Sequence, residues 1–536
     1  MGANIKQKFI PSEISLKYFF RYLLTKVLVL HTAHMHNNEQ NIRLIFGLKL
    51  KQLRQDNDLS LVELSEKCGL SVSYLNEIEK GKKYPKAEKI GAISNALGVS
   101  YDKLVSLKTS KSLSHVSRFL ENNFIQELPL EVFGIDKKKI VELVSNAPAK
   151  VTAFISTLNK IARDYDMTSE HFYFAAVRSY QEMHENYFEE IEQAVERFIS
   201  EYKINAEQTL TVDELKNIVV NKFGYKIDEK KLSSVPSLEN LRSVYLSNGK
   251  RFMINNKLAG SQQAFIYAKE IGYQYLSLKE RAYTTPWNKA NSFEQVLSNM
   301  KASYFAGALL INRNLLVKDL KSFFEAKQFN GDKLLSMMDK FDTSPEMFMH
   351  RLTNLIPRYF GLNNLFFLRF NNNLGEEEFS LSKELHLSQL HQPHRNELNE
   401  HYCRRWVSIS VFQKLEEIKK QKKYKGPIIA AQRSKYADSG NEYFCITLAR
   451  RLGRTPHANL SVTIGFLVNN DFKKKVAFWD DTQVPVKMVN ETCERCSIPD
   501  CKDRMARPYV LEKQNRLKEI DNAVKDLMKE EALILS

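Results

Sequence analysis

The stretch LVELSEKCGLSVSYLNEIEKG, residues 61–81, decides the fold of the N-terminal part of the chain. Gly69 can adopt the positive φ that a three-residue turn requires, and Ser71 is a favourable N-cap for the segment that follows. On either side of the turn, apolar residues recur at helical spacing: Leu64, Cys68, Leu70, Leu75 and Ile78. The stretch therefore predicts two short helices that cross at a steep angle and bury one face of each against the other.

The flanking residues extend this pattern over about 65 residues, and we predict a compact, all-α bundle over residues 41–108. The flanking matches are Leu53-Arg54, Leu59-Ser60, Glu79-x-Gly81, Pro85, Leu97-Gly98-Val99 and Leu104. Together with residues 61–81, they resemble the XRE, or lambda-repressor-like, family of helix-turn-helix domains. In that family the residues matching Arg54 and Glu79 form an ion pair between the first helix and the recognition helix.

The resemblance implies that the second helix enters the major groove of a double-stranded DNA operator, where exposed side chains reach base edges. We take the following as candidate contacts: Ser71, Val72, Ser73, Tyr74, Asn76 and Glu77. Three lysines after the helix are candidates for phosphate contacts that set register without reading sequence: Lys82, Lys83 and Lys86. The alternative is a helix-turn-helix used only for protein contacts.

Bulk properties limit the class of protein. A chain of 536 residues is long enough for three or four domains, and its formal net charge of +16 favours a polyanionic partner. Six cysteines are too few for a disulfide scaffold of this length, so we expect a reducing, cytoplasmic location.

Residues 1–40 are predicted to be a poorly ordered leader before an alternative start at Met35. Its apolar part, Leu16–Leu30, is too short for a membrane span and is interrupted by Lys17, Arg21 and Lys26. It also lacks the pattern of a signal peptide. No membrane partner is expected, and a membrane-associating helix is the alternative.

Two further segments are predicted to be helical. Residues 109–209 form a helical linker or dimerisation region, with apolar residues at three- and four-residue spacing. Residues 511–536 form a C-terminal helix with apolar residues at 3,4,3 spacing, which suits a packing helix or the seam of a homodimer: Leu517, Ile520, Val524 and Leu527.

Residues 210–330 resemble the peptidase-like domain of the ImmA/IrrE type, through helices at Gln262–Tyr273 and Ala302–Leu310. Active members carry His-Glu-x-x-His, which places two zinc-binding imidazoles and a glutamate base on one helix. Here Lys269 and Tyr273 stand at the histidine positions, and Lys301 replaces the acidic third ligand. Glu270 alone remains, so we predict no catalytic residues and no metal in this domain. The alternative is a metallopeptidase that cleaves a repressor.

Residues 331–510 resemble the short-chain fatty acyl transcriptional regulators, through Phe341–Pro357 and Phe360–Arg369. Alternating and buried-strand patterns predict strands at Leu365–Phe370, Ile428–Tyr436, Glu442–Ala449 and Leu460–Val468, with a turn at 438–441. We therefore predict an α+β sensor domain.

Cysteines within the predicted sensor are candidate metal ligands: Cys403, Cys493, Cys496 and Cys501. A C-x2-C turn brings two sulfurs together, and the set suits zinc or an iron-sulfur cluster. The alternatives are free thiols or a redox disulfide. Cys68 and Cys445 are predicted to be core residues.

The acyl regulator resemblance implies an acyl-coenzyme A ligand. Arg404, Arg405, Arg450 and Arg451 are the candidate partners of its phosphates. An apolar wall is predicted from Phe366, Phe367, Phe444 and Ile446. The alternative is that these are ordinary surface and core residues of a DNA-bound scaffold with no ligand.

The predicted architecture is multidomain: an all-α helix-turn-helix N-terminal domain, a mainly α middle domain and an α+β C-terminal sensor domain. The predicted function is regulation of transcription under control of a small acyl metabolite.

Overall fold

The structure is a computed structural model that divides the chain into two compact units, Met1–Ser169 and Glu170–Ser536. It describes residues 42–43, 46–47, 49–106, 169–205, 207–286, 290–373, 378–387, 400–421, 424, 426–452 and 458–535. The predicted leader and most of the predicted helical linker lie outside these residues. The predicted domain boundaries at residues 209, 330 and 510 fall within the second unit.

The first unit is a bundle of short helices. Residues 49–56 are helical and precede α1 (Leu61–Cys68), α2 (Val72–Glu79), α3 (Ala87–Ala96) and α4 (Tyr101–Val105). Their inward faces share one apolar core of fully or almost fully buried side chains: Phe46, Leu50, Leu64, Leu75, Ile78, Ile90, Ile93, Leu97 and Leu104. The predicted all-α N-terminal domain is thereby confirmed.

The second unit begins with helices around a small sheet. The sheet has the order β1-β3-β2-β4, in which β1 and β3 are parallel and β2 is antiparallel to both of its neighbours. Its strands are β1 (Lys226–Asp228), β2 (Ser243–Leu246), β3 (Arg251–Ile254) and β4 (Thr284–Thr285). The expectation of a mainly α middle domain missed this sheet, because strands of two to four residues are too short to show a two-residue alternation.

In the described part of the chain, nine α-helices lie before, between and after the strands of this small sheet, and all of them precede the next sheet. They are α5 (Ser169–Met183), α6 (Glu189–Glu201), α7 (Val212–Asn221), α8 (Lys231–Ser234), α9 (Gly260–Tyr275), α10 (Phe293–Leu310), α11 (Arg313–Phe324), α12 (Gly331–Lys340) and α13 (Pro345–Phe360). The two helices that carry the peptidase-like resemblance, α9 and α10, pack against each other. Helix α9 extends its predicted segment at both ends, and α10 begins well before its predicted segment and ends with it.

A six-stranded sheet forms the rest of the second unit, with the order β10-β7-β8-β9-β5-β6. Its elements are β5 (Leu365–Asn373), β6 (Phe379–His386), α14 (Val407–Lys420), β7 (Ile428–Tyr436), β8 (Glu442–Arg451), β9 (Ala458–Leu467), α15 (Asn470–Lys475) and β10 (Val486–Val489). All pairs are antiparallel except β10 with β7. The four strands predicted from sequence are confirmed, and Gly440 takes a positive φ of 70° in the predicted turn.

Helices cover both faces of this sheet. On one face, Met349, Leu352 and Ile356 of α13 meet Ile446 and Ile464. On the other face, α14 packs on a second set of strand residues that includes Phe366, Leu368, Phe370, Tyr443 and Cys445. We call these the α13 face and the α14 face. Because side chains alternate along a strand, neighbouring residues of β5 and β8 belong to different faces.

A buried ion pair ties α13 to α6. The Arg351 guanidinium donates to both carboxylate oxygens of Glu192, at 2.5 and 2.9 Å, and the two side chains are 1% and 3% exposed. The Tyr304 hydroxyl of α10 donates to the same carboxylate at 2.7 Å. Arg351 and its neighbours hold the pKa of Glu192 below its ordinary value, although burial alone would raise it.

The chain closes with a long helix, α16 (Tyr509–Leu535). Its apolar residues at 3,4,3 spacing are about half exposed or more: Leu517, Ile520, Val524 and Leu527. Among the described residues, no helix is long and apolar enough to cross a membrane.

Candidate functional site

The turn between α1 and α2 has the geometry that its residues predict. Gly69 ends α1 with a φ of 67°, and the Ser71 hydroxyl caps α2 by accepting from the Tyr74 amide at 3.3 Å. The Ser65 hydroxyl of α1 donates to the Leu70 carbonyl at 2.5 Å, which fastens the turn to the first helix. These local bonds set the direction in which α2 leaves the turn.

An ion pair holds the far end of α2. The Arg54 guanidinium donates to both oxygens of Glu79, at 2.7 and 3.1 Å, and to the Leu59 carbonyl at 2.8 Å. Glu79 is buried, and the hydrogen bond that its carboxylate accepts raises the pKa of Arg54 further above its ordinary value. The ion pair implied by the family resemblance is confirmed, and its role is to fix α2 on the bundle.

The outward side of α2 carries the predicted contacts. Leu75 and Ile78 have no exposed surface, whereas Ser71, Val72 and Ser73 are exposed. Tyr74, Asn76 and Glu77 are half-buried. Ser71, Val72 and Ser73 are therefore accessible at the start of α2, whereas Tyr74 also packs against the apolar core.

The lysines predicted to meet phosphates differ in their surroundings. Lys82 and Lys86 are exposed and form no ion pair within the described part of the chain. The Lys83 ammonium bonds to the Glu77 carboxylate at 2.7 Å, and this bond lowers the pKa of Glu77. Reading a base through Glu77 would first require this exposed pair to separate.

One basic residue was missed by sequence reasoning. The Lys89 ammonium of α3 lies 4.2 Å from the ring centroid of Tyr74, and that of Lys83 lies 5.7 Å from it. The ring thus joins two lysines to the start of the second helix. The spacing of Lys89 three residues after Lys86, in the first turn of a helix, was the signal that could have indicated it.

The four predicted metal ligands come together. Cys403, Cys493, Cys496 and Cys501 line one small cavity with Arg404, Arg405, Asp503 and Arg504. The Cys403 amide donates to the Glu491 carbonyl at 3.0 Å and the Cys493 amide to the His401 carbonyl at 2.8 Å, so two distant segments pair here. No disulfide joins the cysteines that the structure describes.

The cavity has features of a thiolate site, but its sulfurs do not form a ligand set. The Met505 amide donates to the Cys493 sulfur at 3.4 Å, and the Arg504 guanidinium donates to three carbonyls of the loop. Burial raises the pKa of the Cys403 thiol to about 11. Within the described ranges, no group of three or more Cys, His, Asp or Glu has the arrangement of a metal site. The donor chemistry fits a soft metal, and the sulfurs would have to move closer to hold one.

The helix that resembles a zinc-peptidase helix carries a buried polar cluster. The Arg281 guanidinium donates to both oxygens of Glu270, at 2.8 and 2.6 Å, and the Tyr225 hydroxyl donates to it at 3.1 Å. The Lys269 ammonium bonds to the Asn299 side-chain oxygen at 2.5 Å. Burial lowers the pKa of Lys269 to about 8. Arg281, the partner of Glu270, was not indicated by the sequence.

The arginines predicted to bind a ligand are not brought into one site. Arg450 and Arg451 are neighbours on β8, so they point to different faces of the sheet. Arg450 lies on the α13 face and pairs with Glu346 at 2.6 Å, while Arg404 and Arg405 belong to the α14 side. The predicted apolar wall is divided in the same way, since Phe366 lies on the α14 face and Phe367, Phe444 and Ile446 lie on the other.

The geometry of the first unit is that of a helix-turn-helix protein, and the helix-turn-helix family model matches residues 50–104. The control protein C.BamHI of Bacillus amyloliquefaciens is 37% identical over 70 residues, which are 13% of this chain and 86% of that protein. The immunity repressor protein of Bacillus phage phi105 is 35% identical over 63 residues, which are 12% of this chain and 44% of that protein. The chain belongs to the helix-turn-helix family of DNA-binding transcriptional regulators.

A solved structure described as a Mycobacterium tuberculosis transcriptional regulator is similar to a larger part of the chain. It is 18% identical, with a TM-score of 0.44, over 62% of this chain and 94% of that chain. This likeness is too low to carry any property over.

Proposed function

We propose that the chain acts in the cytoplasm as a dimer that recognises a specific double-stranded DNA operator through the start of α2. The observation that carries the proposal is the division of α2 into a fully buried side, with Leu75 and Ile78, and an accessible side that begins at Val72 and Ser73. Such a helix, fixed at both ends, presents its first turns to the major groove. Lys82, Lys86 and Lys89 supply the charge for neighbouring phosphates.

Selection of binding sequences from random DNA tests specific recognition. We expect enrichment of a palindrome whose half-sites lie about one helical turn apart. Gel shifts at ~150 mM salt, where binding through phosphates alone is weak, should then separate the palindrome from a scrambled control. Equal affinity for the two DNAs would contradict specific recognition and would favour the alternative, a helix-turn-helix used only for protein contacts.

The dimer seam is proposed to lie on α16, because a single helix-turn-helix has too small a footprint for useful affinity. Leu517, Ile520, Val524 and Leu527 form an exposed apolar stripe at heptad spacing. In a parallel pair of helices that uses this stripe, Arg516 of one chain would lie beside Asp521 of the other. The opposite charges favour a second copy of the chain as the partner.

Sedimentation velocity tests the seam. Leu517→Asp with Ile520→Asp should convert the dimer to a monomer and weaken operator binding. The exposed Lys525, outside the stripe, provides the control substitution Lys525→Ala, which should leave the dimer intact. A dimer that survives the double substitution would place the seam elsewhere.

Control by an acyl-coenzyme A is the second part of the proposal. Its support is the resemblance of residues 341–369 to short-chain fatty acyl regulators. A ligand changes operator affinity only if it prefers one conformation of the dimer, with a typical coupling of ~1–3 kcal/mol. Acetyl-, propionyl- and butyryl-coenzyme A should therefore bind in calorimetry and shift operator affinity. Absence of binding by all three would favour a DNA-bound scaffold with no ligand.

We also propose that Cys403, Cys493, Cys496 and Cys501 hold zinc or an iron-sulfur cluster. Their support is the shared cavity and the amide that donates to the Cys493 sulfur. Such a group would tie the segment at Cys403 to the loop at 493–501, and a cluster would add sensitivity to oxidants. Metal content of anaerobically purified protein should fall in Cys496→Ser and stay unchanged in the buried control Cys445→Ser. Equal content in both variants would indicate free thiols or a redox disulfide.

The peptidase-like part is proposed to be catalytically inactive. Both oxygens of Glu270 are held by Arg281, and the buried Lys269 would repel a zinc ion at the same place. We expect no chelator-sensitive proteolysis by the purified protein. Zinc that is bound in wild type and lost on Glu270→Gln would instead support a metallopeptidase.

A further inference from the structure

Three basic side chains of the six-stranded sheet gather on its α13 face. Arg369 of β5 and Lys383 of β6 are directly paired across the two strands. Arg369 also pairs with Val462 of β9, which pairs with Leu448 of β8, so Arg450 lies two residues along the same face. Paired residues of neighbouring strands point to the same side of a sheet.

Contacts with α13 confirm which face these residues occupy. The Lys383 ammonium lies 5.9 Å from the ring centroid of Phe367, and that ring lies 5.8 Å from the imidazole of His350 on α13. The Arg450 guanidinium donates to both oxygens of Glu346, in the first turn of α13, at 2.6 and 3.2 Å. Arg450 thus lies at the N-terminal end of α13, where the helix dipole adds positive charge, and Lys383 lies near Phe367 beside the second turn.

A fourth cation comes from the small sheet. Arg242, which immediately precedes β2, interacts electrostatically with Glu346 and Arg450. Arg369 interacts with Glu346, Arg242 and Arg450. Burial lowers the pKa of both Arg242 and Arg369, and the other arginines add to this effect. We call Arg242, Arg369, Lys383 and Arg450 the basic cluster.

The basic cluster has more positive charge than the described residues around it balance. Glu346 is the carboxylate that pairs with it in the described part of the chain, and both of its oxygens bind Arg450. The Arg369 Nε atom is buried and has no hydrogen-bond acceptor among the described residues. Lys383 is exposed on the sheet and lies directly opposite Arg369. Burial and the nearby positive charges also keep His350 neutral by lowering its pKa well below the ordinary value.

Like charges directly opposite each other on a sheet are destabilising. An arrangement of three arginines around one carboxylate, with Lys383 opposite Arg369 and a buried donor left over, is stabilised when an anion binds it. Guanidinium groups bind phosphate oxygens through paired, charge-assisted hydrogen bonds. A diphosphate, with its several negative oxygens close together, can accept from more of these donors than a single carboxylate can.

We propose that Arg242, Arg369, Lys383 and Arg450 form a binding site for the diphosphate group of a small ligand at the start of α13. The site would take free pyrophosphate or a larger molecule that carries a diphosphate, such as coenzyme A. It does not depend on the proposed control by acyl groups, and its arginines differ from the set predicted by sequence except for Arg450.

Calorimetric titration of the full-length protein with inorganic pyrophosphate tests the site. We expect binding at ~150 mM salt and a loss of affinity of ~10-fold or more in Arg369→Gln, because a charge-assisted hydrogen bond contributes ~1.5–3 kcal/mol. Lys383→Gln changes a partly exposed residue and keeps the test available if Arg369→Gln fails to fold. The matched control is Arg507→Gln, an exposed arginine just before α16, which should bind as wild type does.

The outcomes separate this site from the proposed acyl control. Pyrophosphate and coenzyme A that both bind, and both weaken in the Arg369 and Lys383 variants, support the site. Pyrophosphate binding without any coenzyme A binding also supports it and argues against acyl-coenzyme A control. The inference is overturned if pyrophosphate does not bind, or if it binds wild type and both variants with the same affinity.

Discussion

The two compact units use charged residues in different ways. In the helix-turn-helix unit, the lysines near α2 are exposed, and the partners Arg54 and Glu79 lie only 25 residues apart. In the second unit, buried or half-buried ion pairs join residues that are far apart in sequence, such as Glu192 with Arg351 and Glu346 with Arg450. The comparison teaches that a short pattern reveals a site when the site is built from one segment, and conceals it when distant segments build it.

The largest expected effect is the loss of the buried pair between α6 and α13. Glu192→Ala would leave the fully buried Arg351 without its carboxylate, which should lower the free energy of unfolding of the second unit by ~3–5 kcal/mol. Trp406 and Trp479 lie in this unit, so tryptophan fluorescence in urea reports its unfolding.

A double variant and an exposed pair serve as controls for this prediction. Glu192→Leu with Arg351→Met removes both charges and should recover much of the lost stability. Arg507→Ala breaks an exposed pair with Glu512 and should have almost no effect. Equal effects of Glu192→Ala and Arg507→Ala would contradict the contrast between buried and exposed ion pairs.

The next effect concerns pH. The pKa of Lys269 is about 8 in the folded protein, so between pH 8 and 10.5 the unfolded chain binds more protons at this group than the folded chain does. The contribution of Lys269 to stability should therefore rise with pH across this window, by on the order of 3 kcal/mol in total. Lys269→Met should remove this rise, which urea unfolding at pH 7.5, 8.5 and 9.5 would measure. Identical pH dependence in the two proteins would show that the ammonium is not desolvated.

Operator binding tests the exposed residues of the first unit. A base contact contributes ~1–3 kcal/mol of discrimination, so Ser73→Ala or Glu77→Gln should change the preferred sequence. Lys82→Ala should weaken binding to all sequences and reduce the slope of its salt dependence by about one. Selection of bound sequences would measure the effect of the Ser73 and Glu77 substitutions, and salt titration would measure that of Lys82→Ala. Lys529→Ala on α16 is the charge-matched control. A sequence preference altered by Lys82→Ala alone would exchange the proposed roles.

The smallest effect tests the local geometry of the turn. Gly69 has a φ of 67° and open space around its Cα, so Gly69→Ala should destabilise the first unit by ~1–2 kcal/mol through backbone strain alone. Gly91, in the interior of α3, also has open space but no positive φ. Gly91→Ala should therefore stabilise the unit by ~0.5–1 kcal/mol. Amide hydrogen exchange in α1–α3 would measure both, and effects of the same sign would contradict the assigned backbone conformation.

The sequence by itself determined the helix-turn-helix, from the turn glycine to the N-cap serine, and the family resemblance implied the Arg54–Glu79 pair. It also determined four strands of the six-stranded sheet. These features depend on neighbouring residues, because helix spacing, strand alternation and turn residues are properties of short segments. The strands β1–β4 of the small sheet were missed, since each is held by its partners and carries too few residues for a period.

Only the tertiary structure decided which distant side chains meet. Spacing correctly grouped Cys493, Cys496 and Cys501. Cys403 joins them only because the segment around it pairs with residues 491–493. The arginines were grouped by type, but alternation along β8 separates Arg450 from Arg451, and the register of β5, β6, β8 and β9 places Arg450 on the same face as Arg369 and Lys383. Register is set by the packing of whole strands against α13 and α14, and a shift of one residue would reverse every face. That choice is made by the core as a whole, so no single segment of the sequence contains it.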